Sequence, residues 1–246
     1  MPSFTTPSLV LRGMELAQPW AWWRLPEEYR DRRQVALTLD DGPSEVFARR
    51  VLDVLKEEDA QATFFVLGDR CEAFPAVLRR MAEEGHGIGL HGDTHLDFTS
   101  DETGPWQDRL RANERQIRAA LGPELAEKAF LPYFRPPFGH LSRDWAEEII
   151  AAGKTIVNCS ILPGTLVTWP GKSNWIEETD KVAARVKHDL HHGAIIALHC
   201  GKQLPEHANS PYVNCGIFNM EQAAETVRAV CRVVREAGYE FSGRLP

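Results

Sequence analysis

The sequence predicts an α/β fold, a single-domain β/α barrel in which a parallel sheet is wrapped by helices, and three observations predict it. Short apolar runs rich in β-branched and aromatic residues alternate with amphipathic helical stretches, the pattern of a parallel sheet with helices outside. A chain of 246 residues with 43% hydrophobic composition can bury the core of one such domain. Asp40, Asp41, His91, Arg135 and His199 all stand just after predicted strands. In a β/α barrel those positions converge on one face, where active sites sit.

Taken in order, residues 1–33 read as an irregular lead-in. Trp20, Trp22 and Trp23 beside Pro19 and Pro26 are expected to pack over the barrel's outside or bottom. Val35-Ala36-Leu37 opens the first strand, which runs through Thr38-Leu39-Asp40-Asp41 and is stopped by Gly42-Pro43. Helical periodicity follows over 44–58, with Ser44 as N-cap, and 62–68 is a buried strand closed by glycine. A helix through Pro75, Val77, Leu78 and Met81 stops at Gly85. His86-Gly87-Ile88-Gly89-Leu90 is a third strand, glycine-rich where backbones approach closely, and it delivers His91 at its end. The segment 100–121 becomes helical after Pro105, and 129–134 is a strand. It runs into Arg135-Pro136-Pro137-Phe138-Gly139, where prolines fix a rigid loop. Helix is expected over 144–152, 177–191 and 219–237, and strand over 155–159, 193–198 and 239–241. Long loops fill 163–174, expected over the active face, and 201–216.

The formal charge of −7, with basic residues scattered, argues against a nucleic-acid or anionic-membrane partner. Five widely spaced cysteines without a Cys-x-x-Cys pair indicate neither a disulfide framework nor a zinc knuckle. No stretch of 18 apolar residues and no signal-peptide pattern occurs, so a cytoplasmic location without a transmembrane segment is the expectation.

His91 and His95 lie four residues apart, a spacing that lets both imidazoles reach one ion if the segment coils. With one aspartate of the Asp40–Asp41 pair they make a two-histidine, one-carboxylate set, which leaves coordination positions open as a catalytic metal site requires. Side chains alternate along an extended chain, so the two aspartates are expected on different sides, one gripping metal and one moving protons. Trp169 and Trp175, on a long loop, are candidates for stacking on a sugar. His86 reads as a hydrogen-bonded support outside the site, and Asp93 as solvated or as a partner behind the ligands.

Several separated segments resemble the motifs of the polysaccharide deacetylase family, the NodB-homology domains of the family 4 carbohydrate esterases. Thr38-Leu39-Asp40-Asp41-Gly42 is similar to the first motif, His91-Gly92-Asp93-Thr94-His95 to the second, Arg135-Pro136-Pro137-Phe138-Gly139 to the third and Leu198-His199 to the fifth. The resemblance spans about residues 34 to 242 and divides the chain into the lead-in, 1–33, and a catalytic barrel, 34–246. It implies a distorted (β/α) barrel with about seven parallel strands. It also implies a divalent metal, commonly zinc with cobalt, nickel, manganese or iron as alternatives, held by Asp41, His91 and His95. Asp40 would be the general base, His199 the general acid, and Arg135 a partner of carboxylates behind the site. The N–H of Phe138, between Pro137 and Gly139 in a substrate-binding loop, would meet the oxyanion. The implied activity is removal of N-acetyl groups from amino-sugar glycans such as chitooligosaccharide or peptidoglycan, with carbohydrate as the partner.

The chain departs from the family pattern at the fourth motif, commonly Asp-x-x-Asp-Trp after the fifth strand. Asn158-Cys159-Ser160-Ile161-Leu162-Pro163-Gly164 stands there instead. Cys200 follows the histidine where an aspartate is frequent, and Leu90 precedes His91 where asparagine is usual. These departures keep two alternatives open: a deformylase or amidase on a lipid-linked aminosugar or small cyclic amide, and a catalytically weakened glycan-binding relative.

Overall fold

The computed structural model describes residues 7–30, 33–98, 104–163, 168–169, 172–173, 178–201 and 222–246. Its central strand, β1 (Gln34–Gly42), is buried from Val35 onward because both of its faces meet apolar partners. Val35, Leu37 and Leu39 point into the layer shared with the helices, and Ala36 joins Phe65, Tyr133, Val157, Ile195 and Ala197 in a smaller inner cluster. A period of two with apolar residues on both faces is what a covered parallel strand needs.

Around β1 the sheet adds β2 (Thr63–Val66), β3 (Gly87–Leu90), β4 (Phe130–Phe134) and β5 (Thr155–Ile156) on one side and β8 (Ile195–His199) on the other. β9 (Glu240–Phe241) pairs with the start of β1, so among the described residues the sheet has seven strands, and every pairing in it is parallel. The segments β6 (Thr168–Trp169) and β7 (Lys172–Ser173) form a separate antiparallel pair inside the long loop. Gly89 sits where an added Cβ would come within 2.9 Å of the Phe65 ring, so its glycine makes room for a side chain filling the interior.

Helices cover the outside. α3 (Phe47–Glu57) turns Val51, Leu52 and Leu55 inward, and α10 (Ala223–Glu236) meets it with Val227, Val230 and Val234. Each such side chain contributes about 1.5–3 kcal/mol through burial. α5 (Pro75–Glu83), α6 (Trp106–Leu121), α8 (Arg143–Ala151) and α9 (Thr179–Asp189) stand near their expected places. The short helices α4 (Gly68–Ala73) and α7 (Pro123–Ala129) were not anticipated, since neither is long enough to show a period. No helix among the described residues is long and apolar enough to cross a membrane.

The lead-in corrects the expectation of an irregular segment over the outside or bottom. It holds α1 (Pro7–Ala17) and α2 (Glu27–Arg30), and the stretch between them completes the barrel wall. β5 has only two residues, so its free edge and that of β8 need partners for their backbone groups. Trp22 bridges to Val157, Arg24 to Ala194, and Ile161 to Ile196. The N–H of Trp22 donates to Ile156, that of Asn158 to Trp22, and that of Leu25 to Gly193. Trp23 and Leu25 are buried as a result.

Candidate active site

The two aspartates reach the mouth of the barrel through a β-bulge. Asp40 is in register with Phe65 of β2, but the next pairing is Gly42 with Val66, so Asp41 is the extra residue. Its φ of 67° is left-handed, a conformation that costs a non-glycine residue about 1–2 kcal/mol and that aspartate tolerates better than most. The alternation expected of an extended chain is broken here, and both carboxylates serve the same mouth. Close packing holds the bulge: an added Cβ at Gly201 would lie 1.7 Å from the Asp41 carbonyl oxygen.

Asp41 Oδ1 lies 3.2 Å from His91 Nε2 and 3.3 Å from His95 Nε2, and one ligand atom from each residue lies within 4.8 Å of the others. All three residues are buried. His91 Nδ1 is 2.7 Å from the carbonyl oxygen of Arg135, which can only accept, so Nδ1 carries the proton and a neutral ring turns the Nε2 lone pair toward Asp41. Asp41 Oδ1 has no hydrogen-bond partner among the described residues. A carboxylate oxygen and imidazole lone pairs converging in a buried place is a donor set that a divalent cation fits.

Burial and the facing charges act differently on the three groups. Burial alone would raise the Asp41 carboxyl, but the facing imidazoles of His95, His91 and His199 hold it well below the usual carboxylate range. Burial pushes His95 down to about 4, so its ring is neutral at pH 7 and able to offer a lone pair. Burial pulls His91 down too, but the adjacent Asp41 and Asp40 carboxylates outweigh that and raise it.

Helix α6 fixes the histidine loop, a contribution the sequence reading missed. Asn113, fully buried, accepts from the N–H groups of His91 (3.1 Å) and Gly92 (2.9 Å) and donates to the Val66 carbonyl. One turn earlier, Arg109 donates to Asp93 at 2.9 Å and to the Thr94 carbonyl, with its guanidinium over the Phe98 ring. Asp93 is therefore tied down behind the two histidines. The signal was present, since positions 109 and 113 are polar in the stripe of Trp106, Leu110 and Ile117.

On the other side of the mouth Arg135 donates from Nη1 to Asp40 Oδ1 (2.7 Å) and Thr38 Oγ1 (2.8 Å), from Nε to the Val157 carbonyl and from Nη2 to the Asn158 carbonyl. Its guanidinium lies over the Phe65 ring. The expected carboxylates behind the site reduce to Asp40 itself among the described residues, because the fourth-motif position supplies a backbone carbonyl from Asn158. His199 stands at the end of β8 in register with Asp40, half-buried beside the cluster.

The third segment is a 3-10 turn at Pro137–Gly139. Phe138 holds φ 60° and ψ 1°, left-handed, with its ring edge against His95 at 4.6 Å between centroids. His140 pairs with Asp97 at 2.9 Å on the rim. His86 lies apart, where Nδ1 accepts from the Ala62 N–H. The stacking role expected of Trp169 concerns a side chain outside the described residues, as does that of Trp175.

Fold and site together define an α/β half-barrel protein with a buried two-histidine, one-aspartate cluster at the carboxyl ends of its strands. The family model "Polysaccharide deacetylase" matches residues 27–157. The chain belongs to the polysaccharide deacetylase family. It is 35% identical over 178 residues to a chitooligosaccharide deacetylase of Sinorhizobium fredii, covering 72% of this chain and 76% of the relative. It is 30% identical over 170 residues to a peptidoglycan-N-acetylglucosamine deacetylase of Bacillus cereus, covering 69% of this chain and 56% of that longer relative. In fold it matches the Bc1960 peptidoglycan N-acetylglucosamine deacetylase, with a TM-score of 0.70, 23% identity and 94% of each chain covered.

Proposed function

We propose that the protein is a metal-dependent hydrolase that removes acetyl groups from N-acetylated amino-sugar glycans of the chitooligosaccharide or peptidoglycan type. The observation that supports this most is the gathering, at one mouth, of the Asp41–His91–His95 cluster with a carboxylate, Asp40, and an imidazole, His199, beside it. The named activities of the relatives support the substrate class.

A divalent cation such as zinc, held by Asp41, His91 and His95, would polarise the amide carbonyl and acidify water. Asp40, anchored to Arg135 through Oδ1, accepts the proton of the attacking water at its other carboxylate oxygen. Arg135 keeps that carboxylate aimed. The N–H of Phe138, in a turn stiffened by Pro136 and Pro137, donates to the oxygen of the tetrahedral adduct, and one such donor is worth about 3 kcal/mol. His199 protonates the departing amine, without which the C–N bond has a poor leaving group. Acetate and a free amino sugar result.

A slower, glycan-binding role is the second reading, supported by Asn158 standing without charge at the fourth-motif position. Purified protein incubated with zinc or cobalt and acetylated chitooligosaccharides should release acetate at a rate proportional to enzyme. Formate release from a formylated aminosugar in its place would redirect the acyl specificity, and binding without release of any acid would favour the second reading.

A further inference from the structure

We propose that Gln18, in the lead-in, is a positioning residue for this reaction: with Asn158 it ties the oxyanion turn to the Asp40–Arg135 pair. This rests on the deacetylase reading above. The side-chain amide of Gln18 is used at both ends. Nε2 donates to the carbonyl of Gly139, at 3.2 Å, and Oε1 accepts from Asn158 Nδ2, at 3.1 Å. The Asn158 backbone carbonyl in turn accepts from Arg135 Nη2 at 3.0 Å, and Arg135 holds Asp40 at 2.7 Å. A chain of contacts, Asp40–Arg135–Asn158–Gln18–Gly139, therefore runs from the base to the turn bearing the Phe138 N–H.

Gln18 is itself firmly seated. Its N–H donates to Met14 at the end of α1, and its carbonyl accepts from the N–H of Ala21 and from Nε1 of the buried Trp23. The wall-closing work of this segment is done by backbone hydrogen bonds of Trp22 and Leu25. The Gln18 side chain takes no part in those bonds, and both of its hydrogen bonds go to segments that border the reacting groups. Phe138 sits in a left-handed conformation that persists only where the surroundings over-determine it, and the Gly139 carbonyl is one point at which they do. The uncharged Asn158 makes this linkage: its side-chain amide can donate to Gln18, whereas an ionised aspartate at that position could only accept.

The test compares native protein with Gln18→Met, which keeps the length without the amide, and Gln18→Glu, which can accept from Asn158 but cannot donate to Gly139. With zinc bound and assayed well below the Tm, Q18M should lower kcat for N-acetylated chitotetraose about tenfold, the worth of one aligned hydrogen bond, with KM and zinc affinity unchanged. Q18E should lose as much, and Q18M combined with Asn158→Leu should lose little more than either alone, because the two act in one chain. Amide exchange followed by mass spectrometry should accelerate in the 134–140 peptide of Q18M and stay unchanged in β1. Unchanged exchange there, or faster exchange with native kcat, would overturn the proposal, as would a kcat loss that merely follows a lower Tm. Should native protein release no acetate, the functional reading and the catalytic half of this proposal would fall together, while the exchange measurement would still judge the anchor on its own.

Discussion

Asp40 and Asp41 are neighbours in sequence and occupy two unlike halves of one mouth. On the Asp40 side the chain completes its own electrostatics. Arg135 spends four donor contacts on Asp40, Thr38 and two backbone carbonyls, and the carboxylate is held to a single geometry. On the Asp41 side lone pairs are brought together. His91 Nδ1 is committed to a carbonyl, His95 is neutral, and Asp41 Oδ1 faces both rings at 3.2 and 3.3 Å. The contrast teaches that one residue type is suited to accept a proton or to hold a cation according to whether its neighbours are donors or lone pairs.

The largest expected effect separates those halves. Asp40→Asn should cut kcat for acetate release about a thousandfold, the scale of general base catalysis, with zinc affinity within a few fold of native by calorimetry. Asp41→Asn should weaken zinc by more than about a hundredfold, since even groups behind a ligand cost 10- to 100-fold. If each variant lost affinity and turnover alike, the two halves would be one. Next in size, Asn113→Leu leaves the N–H groups of His91 and Gly92 without their acceptor. It should cost about 2–4 kcal/mol in urea unfolding and weaken zinc binding, while Asp40 chemistry at saturating zinc changes little.

An effect absent at neutral pH isolates the mouth from the rest of the fold. His86, a buried histidine outside the cluster, is pushed down to about 4 by burial. Between pH 4 and the unfolded value near 6.5 the unfolded chain takes up a proton that the folded one refuses, so stability falls as pH drops through that window. By pH 4 the loss should approach about 3 kcal/mol. His86→Gln should flatten the pH dependence of the urea midpoint by that amount. An unchanged slope would show that His86 does not set the acid response.

The strands, their order of appearance and the clustering of Asp41, His91 and His95 were legible in the sequence, because apolar runs closed by glycine or proline locate strand ends without reference to any partner. What depended on a partner was not legible. The bulge at Asp41 exists only as a mismatch between β1 and β2, and alternation along β1 alone pointed the wrong way. The brevity of β5 was hidden in an extended-looking run at 155–159, so the wall-closing role of Trp22 was hidden with it. Asn113 and Arg109 were visible as polar intruders in an apolar stripe, but only the fold shows that they meet His91 and Asp93.

The left-handed backbone at Asp41 narrows the choice of residue there twice over. Glycine or asparagine would accept the dihedral and lose the negative charge; glutamate would keep the charge, but its longer side chain suits that dihedral poorly. Aspartate alone among the twenty meets both demands, so backbone conformation and the need for a negative charge facing the two imidazoles select the same single letter.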